Sequence, residues 1–321
     1  MSTVTIALPR RGSALRFAQR YGVYGALVLI FGYNLVFTAN FFTLANFRTQ
    51  FVQVIPVLIV ALGMALVIGT EGIDLSVGAS MAMAAAVLPL YLGYGFFPAA
   101  IVALVAVAMI GVINGTLVAA VGVQPIVATL ALMVAGRGLA LVVSGDQSKT
   151  VLDPVLLELS RGSIGGVLPY TVLLGAVLVG IIAVLVNLTT FGKQLVAIGG
   201  NRRAAELAGL PVRRILLLVY IVSALLAGIA GLVGVARLSA SVPSTLGNLI
   251  ELSAITAVVV GGTPLAGGRV KIAGTVAGAL LLQFISATLI KNNVPDAISQ
   301  IVQAAIIVVA VFIQRSRQVT R

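Results

Sequence analysis

The chain has no cysteine, no histidine and no tryptophan among its 321 residues, and only eight acidic residues against twenty basic ones. Without cysteine there are no disulfides and no thiolate chemistry, and without cysteine or histidine the usual transition-metal ligands are missing. No nucleophile–base–acid set can be assembled from what remains, because the few carboxylates do not pair at catalytic spacing. An enzyme is therefore not expected. A phosphate-binding loop is also missing. The nearest pattern, Gly192–Lys193–Gln194, lacks the upstream glycine and the Ser/Thr that a phosphate cradle needs. Neither an arginine-rich voltage-sensor helix nor a TVGYG-type selectivity filter occurs, which argues against a channel.

What the chain has instead is long apolar runs. Sixty per cent of the residues are hydrophobic and the mean hydropathy is +1.18. A membrane span needs roughly 20 mostly apolar residues, and hydropathy predicts ten: Tyr21–Thr38, Phe51–Ile68, Val77–Leu92, Pro98–Val121, Ile126–Ser144, Pro169–Thr189, Ile215–Ala236, Leu249–Gly261, Ile272–Ile290 and Ile298–Ile313. The expected fold class is all-α and polytopic, a single transmembrane domain over residues 1–321. The basic start, Met1–Arg20, leads into a full span with no small-residue cleavage site, so it does not read as a signal peptide.

The net charge of +12 is better explained by topology than by nucleic acid. With ten spans both termini share a side, and that side collects fourteen of the twenty basic residues: Arg10, Arg11, Arg16, Arg20, Lys193, Arg202, Arg203, Arg213, Arg214, Arg269, Lys271, Arg315, Arg317 and Arg321. Both termini are therefore expected in the cytoplasm. The cytoplasmic pieces are then residues 1–20, the loop 190–214 and the tail 314–321.

Two glycine-rich breaks interrupt the apolar runs. Gly69–Gly78 carries two of the eight acids, Glu71 and Asp74. A carboxylate at membrane depth is costly, and irregular backbone is tolerated there only when buried in protein or lining a watery cavity. A second break, Gly261–Gly268, follows Ala257–Val260 much as the first follows Ala65–Ile68. Paired Gly/Pro-interrupted segments point to two related halves and a transport site. They follow spans two and eight, which leaves open whether the halves are inverted or parallel.

The loop Gly199–Pro211 contains a short helix with clear punctuation. Asn201 is an N-cap, Gly209 suits a left-handed position after the last turn, and Pro211 blocks continuation. Ala204, Leu207 and Ala208 share one face. A two-turn helix is marginal alone and needs a surface to dock on. The spacing itself fits a simple connector between spans equally well.

Other polar residues at membrane depth are candidates for a translocation pathway: Glu71, Asp74, Ser76, Asn114, Gln124, Arg137, Thr263 and Gln283. Each has a structural alternative. Asp74 with Ser76 is better read as a cap on the helix starting at Val77. No capping role is evident for Glu71. Arg137, between Gly136 and Gly138, needs a partner and is read first as a structural pair with a carboxylate or helix-end carbonyls. Asn114, Gln124 and Gln283 are neutral polar groups at or near membrane depth, and helix–helix hydrogen bonds are their first reading. Gly228, Gly231, Gly234, Gly274 and Gly278 read as close-packing contacts. Val121–Pro125 reads as a tight turn with Pro125 opening the next helix.

Four stretches in order carry a family resemblance. They are Asn40–Thr43 with Asn46, Gly72–Gly78, the Gly199–Gly209 loop, and Ala257–Gly262 with Leu265–Gly268. Together they make the chain resemble the permease subunit of bacterial ABC importers for monosaccharides, the ribose, xylose and galactofuranose branch. Gln124–Leu130 and Met133–Gly138 resemble the galactofuranose type more than the ribose type. Two positions depart from the family's pattern: Thr70–Glu71 before Gly-Ile-Asp, and Thr263–Pro264 where Thr-Ser is common. The resemblance implies a permease pairing with itself or a paralogue in the cytoplasmic (inner) membrane. It also implies a periplasmic sugar-binding protein on the outer face and two cassette ATPases docking on Asn201, Arg202, Arg203, Ala204, Glu206, Leu207, Ala208, Gly209 and Leu210. ATP would be hydrolysed by the partner, so no cofactor is expected in this chain. The competing reading is a stand-alone secondary transporter or facilitator.

Overall fold

The computed structural model describes residues 13–308 except 296, 299, 303 and 307, with side chains from Gly22 onward. The elements in order are α1 (Ser13–Phe37), α2 (Leu44–Gly69), α3 (Val77–Tyr91), α4 (Phe96–Thr116), α5 (Pro125–Ser144), β1 (Lys149–Thr150), α6 (Pro154–Arg161), β2 (Ser163–Ile164), β3 (Leu168–Pro169), α7 (Tyr170–Leu188), α8 (Thr190–Gly200), α9 (Arg202–Leu207), α10 (Val212–Leu238), β4 (Ala240–Ser241), α11 (Ile250–Val260) and α12 (Ile272–Lys291).

Among the described residues, seven helices are long and apolar enough to cross a membrane: α2, α3 continued to Tyr94, α4 continued to Val121, α5, α7, α10 and α12. Gly22–Phe37 and α11 are shorter apolar helices. Half of the expected tenth span, Ile298–Ile313, and most of the cytoplasmic segments 1–20 and 314–321 lie outside the described residues. The chain is thus an all-α polytopic membrane protein with a few extra features. α2 begins at Leu44, seven residues before its apolar stretch, because Thr43 caps it by accepting the amide of Asn46 at 3.3 Å. Hydropathy gave no hint of α6 or α8, since neither is a span. The two β ladders are two residues a strand: β1 with β4, and β2 with β3. Gly165 and Gly166, at φ of 59° and 73°, form the hairpin turn between β2 and β3.

The interior belongs to α2, α3 and α10, while α4, α5 and α7 turn most of their surface outward. Between helices in lipid there is little hydrophobic drive, so association rests on close packing through small residues. That is what the glycines do. Gly63 faces the Ser223 backbone, Gly111 the backbone of Tyr220 and Ile221, and Gly231 the backbone of Met81. Gly274 packs on Gly261 and Gly278 on Ala257, which brings α12 against α11. Gly228 and Gly234 meet the side chains of Val107 and Leu246, so the close-packing reading of these glycines holds. At one place the core is aromatic: Phe284 of α12 meets Phe31 edge-on at 4.7 Å and Phe51 at 6.2 Å.

The bundle has two distinguishable ends. At one, the end of α2, the break after α11 and α8 come together, joined by the Gly268 amide donating to the Gly69 carbonyl at 3.1 Å. At the other lie the β ladders and α6, with Arg48 donating to the Arg161 carbonyl at 2.9 Å. α2 and α11 therefore run in the same sense, each arriving at the α8 end. Their continuations differ. After Gly69 the chain turns back into the bundle, and Asp74 reaches Ser223, which is level with Gly63. Gly63 lies six residues, about 9 Å, before the end of α2. The first break thus enters the interior instead of remaining at the end of span two. After Gly261 the chain stays at the α8 end until α12 begins.

Candidate functional site

α9 carries the clearest local logic. The Asn201 side chain accepts the Ala204 amide at 2.9 Å. At the other terminus Gly209, at φ of 77°, donates to the Glu206 carbonyl, and the Leu210 amide donates to Ala205. That pair of bonds closes the helix in a Schellman arrangement and explains the glycine. Ala205 is buried against the bundle, whereas Leu207 is 78% exposed and Ala204 and Ala208 are exposed beside it. Arg202 and Arg203 pair with Glu206 at 3.3 and 3.8 Å; exposed pairs of this kind add little stability. The helix therefore presents an apolar patch outward, ringed by charge.

α8, inside the expected cytoplasmic loop 190–214, ties α9 to the bundle. Its Leu195 and Ile198 are buried. Gly199 lies directly on the Gly69 carbonyl and beside the Gly268 amide. Gly267, at φ of 70°, abuts the Glu71 amide and the Gly199 carbonyl, where an added Cβ would come within 2.8 Å of both. Three glycine-rich stretches, far apart in sequence, thus meet backbone to backbone.

Asp74, Ser76 and Asn114 are fully buried in one hydrogen-bonded network. Asp74 Oδ1 accepts from the Ser76 amide at 3.0 Å and the Ser76 hydroxyl at 2.6 Å. Its Oδ2 accepts from the Ser223 hydroxyl at 2.9 Å, and Asn114 donates to Ser76 Oγ at 2.7 Å. The expected cap is thus modified: α3 starts at Val77 with no side-chain bond to its first amides. Asp74 instead closes the turn before the helix and ties it to α10, while Ser76 ties it to α4. Ser223 was not anticipated, since a serine in an apolar helix has no signature of its own. Nearby, Thr129 of α5 donates to the Ile73 carbonyl at 3.1 Å.

The remaining candidates scatter. Glu71 is exposed, at φ of 66°, in the turn after α2. Gln124 is exposed in the turn before α5, where Gly122 at φ of 84° reverses the chain and Pro125 opens the helix. Thr263 is buried and its hydroxyl accepts the Lys271 amide at 3.0 Å, bracing the second break. Gln283 donates to Gln50 at 2.7 Å and Gln53 at 3.0 Å, joining α12 to α2.

Arg137 lines an open cleft of about 460 Å³ with Met133, Val134, Gly138, Asn248, Leu249 and Glu251. Its guanidinium donates to the Ser244 carbonyl at 3.4 Å. Ser244 lies in the turn before α11, not at a helix end. Glu251 was not singled out in the sequence, although a carboxylate inside the eighth apolar run was signal enough.

The family model described as "Branched-chain amino acid transport system / permease component" matches residues 46–311. The chain is 38% identical over 264 residues to the galactofuranose transporter permease protein of Escherichia coli (strain K12), covering 82% of this chain and 77% of that one. It is 36% identical over 324 residues to the ribose import permease protein of the same organism, covering 99% and 100%. Against the fructose import permease protein of Bifidobacterium longum (strain NCC 2705) it is 36% identical over 263 residues, covering 80% and 74%. No solved structure matches the chain.

Proposed function

We infer that this chain, which belongs to the permease-component family of the branched-chain amino acid transport type, is the membrane-spanning permease of an ABC importer for a monosaccharide. The observation that carries this is the end-to-end likeness to sugar import permeases. The substrate is a pentose or hexose, with a galactofuranose-like sugar favoured by the Gln124–Leu130 and Met133–Gly138 stretches. The protein resides in the bacterial inner membrane, and we place both termini and α9 in the cytoplasm on the strength of the basic residues. Residues 1–321 act as one permease domain, with 1–20, 190–214 and 314–321 cytoplasmic.

A pair of cassette ATPases supplies the energy. They dock on α9 through Leu207, Ala204 and Ala208, with Arg202, Arg203 and Glu206 at the rim. This chain needs no cofactor, because ATP is bound and hydrolysed by the partner. A sugar-binding protein delivers ligand at the opposite end of the bundle. A second permease subunit, identical or paralogous, covers part of the outward faces of α4, α5 and α7. Asp74, Ser76 and Asn114 hold the first break in place and are not proposed to touch the sugar.

The test is sugar uptake into membrane vesicles with and without the co-expressed ATPase. Uptake that depends on ATP and on the ATPase is expected. Uptake that persists without it, driven by an ion gradient, would instead identify a stand-alone secondary transporter.

A further inference from the structure

The head of α11 breaks the pattern of the other helices. Ser239–Leu249 returns from the β4 end into the bundle, so α11 starts inside it, with Gly247 packed on Gly78 and Met81. Leu249, just before the helix, sits at φ of 58°, a conformation a leucine rarely adopts. Strain of this kind persists only where the surroundings impose it and gathers at functional sites. Discontinuous helices within a membrane bundle are also where transporters build their substrate sites. The cleft described above opens directly onto this point.

Its polar groups are few and under-used. Glu251 Oε2 is buried, against Gly78, with no hydrogen-bond partner. Among the described residues the ion pairs within 4.0 Å are those on α9, so Arg137 and Glu251 face the same cleft without closing on each other. Arg137 has one hydrogen bond, to the Ser244 carbonyl, from a group that carries five donors. The Asn248 amide adds a further donor and acceptor at the rim. Met133, Val134 and Leu249 supply apolar walls. At about 460 Å³ the cleft falls within the range of small-molecule sites, about 300–1,000 Å³.

The charges narrow the ligand class. One cation and one anion balance, so neither an anionic nor a cationic ligand gains a net advantage. A net-neutral ligand does, zwitterion or polyol, and the sugar-importer reading selects the polyol, whose hydroxyls both donate and accept. The carboxylate takes the donors, the guanidinium serves the acceptors, and the apolar walls cover the C–H faces of a ring. We propose that Arg137, Asn248 and Glu251 form a sugar-contact site within the permease, at the junction of α5 with the head of α11. This rests on the sugar-importer reading above. The contact is open, as a site that must release its cargo requires.

The chain has no tryptophan, so Met133→Trp places a single fluorophore in the cleft of the assembled permease–ATPase complex. D-ribose, D-galactose, D-fructose and L-arabinose serve as probes at millimolar concentration. A saturable change in emission with the transported sugar is expected, and its loss in Met133→Trp/Glu251→Gln. In proteoliposomes with the ATPase and binding protein, Glu251→Gln and Arg137→Gln should each cut uptake of that sugar about tenfold. Basal ATP hydrolysis and co-purification of the ATPase should stay at wild-type level, which a misfolded permease would not allow. Uptake within about twofold of wild type for both variants, or fluorescence blind to the sugar, overturns the site. A wild-type importer that moves neither these four sugars nor D-xylose nor D-galactofuranose overturns instead the monosaccharide reading on which the site depends.

Discussion

Replacing Asp74 with alanine removes one acceptor shared by an amide and two hydroxyls, all inside the bundle. Leaving such groups unpaired costs about 1–3 kcal/mol, so Asp74→Ala should lower the unfolding midpoint of the detergent-solubilised permease. A double-mutant cycle with Ser223→Ala should give a coupling energy of about 0.5–3 kcal/mol. Additive effects of the two substitutions would mean that the carboxylate and the α10 hydroxyl do not work together. The sequence made Asp74 conspicuous, because an acid in an apolar chain needs a reason. Its partner was invisible, because a serine in α10 meets Asp74 only after the chain has folded back across 149 positions. The same holds for Arg137, found by its charge, and for the Ser244 carbonyl it touches, found only in the fold.

Helices with local punctuation were the most legible elements. α9 was readable from Asn201 and Gly209 alone, since caps are made within four or five residues. α6 has an equally local cap in Asp153, which accepts the amides of Val155 and Leu156 at 2.9 and 3.3 Å, but hydropathy directs attention to spans and passes over it. The meeting of Gly69, Gly199 and Gly268 has no local signal, although each glycine-rich stretch stands out separately in the sequence. Leu207→Glu should leave the permease inserted at wild-type level but lose its ATPase on purification, because the exposed apolar patch of α9 becomes charged. Retention of the ATPase would count against docking on this face. Gly199→Ala tests the other side of the same region. The added methyl has no room against the Gly69 carbonyl, and overpacking of this kind costs about 1–3 kcal/mol. The ATPase should still co-purify, since the α9 patch is untouched, while ATP-driven uptake falls. Uptake equal to wild type would show that the backbone contact between α8 and the breaks carries no motion.

For the molecule as a whole, the natural lack of cysteine makes orientation directly measurable. Single cysteines at Ala204, on α9, and at Asp146, after α5, should react with an impermeant thiol reagent from opposite faces of a sealed vesicle. Labelling of the Ala204→Cys variant from the cytoplasmic face, and of Asp146→Cys from the periplasmic face, is the expected result. The reverse would invert the topology drawn from the basic residues. The class of the protein was legible in its hydropathy and glycine pattern. The span count was less so, because α11 is too short to cross by itself and half of the last expected span lies outside the described residues.

The glycine junction also has a bearing on how such a permease changes over generations. At Gly199 the neighbouring backbone fills the space a side chain would need, at Gly69 the side chains of Val270 and Leu195 fill it, and at Gly268 close backbone and a φ of 71° both disfavour one, so drift there is narrow whatever the cargo. The cleft at Arg137 and Glu251 is open, and its walls can be exchanged one residue at a time. Choice of sugar and connection to the motor are therefore free to evolve separately. A chimera that takes Met133–Gly138 and Asn248–Glu251 from a relative should acquire that relative's cargo while keeping its own ATPase.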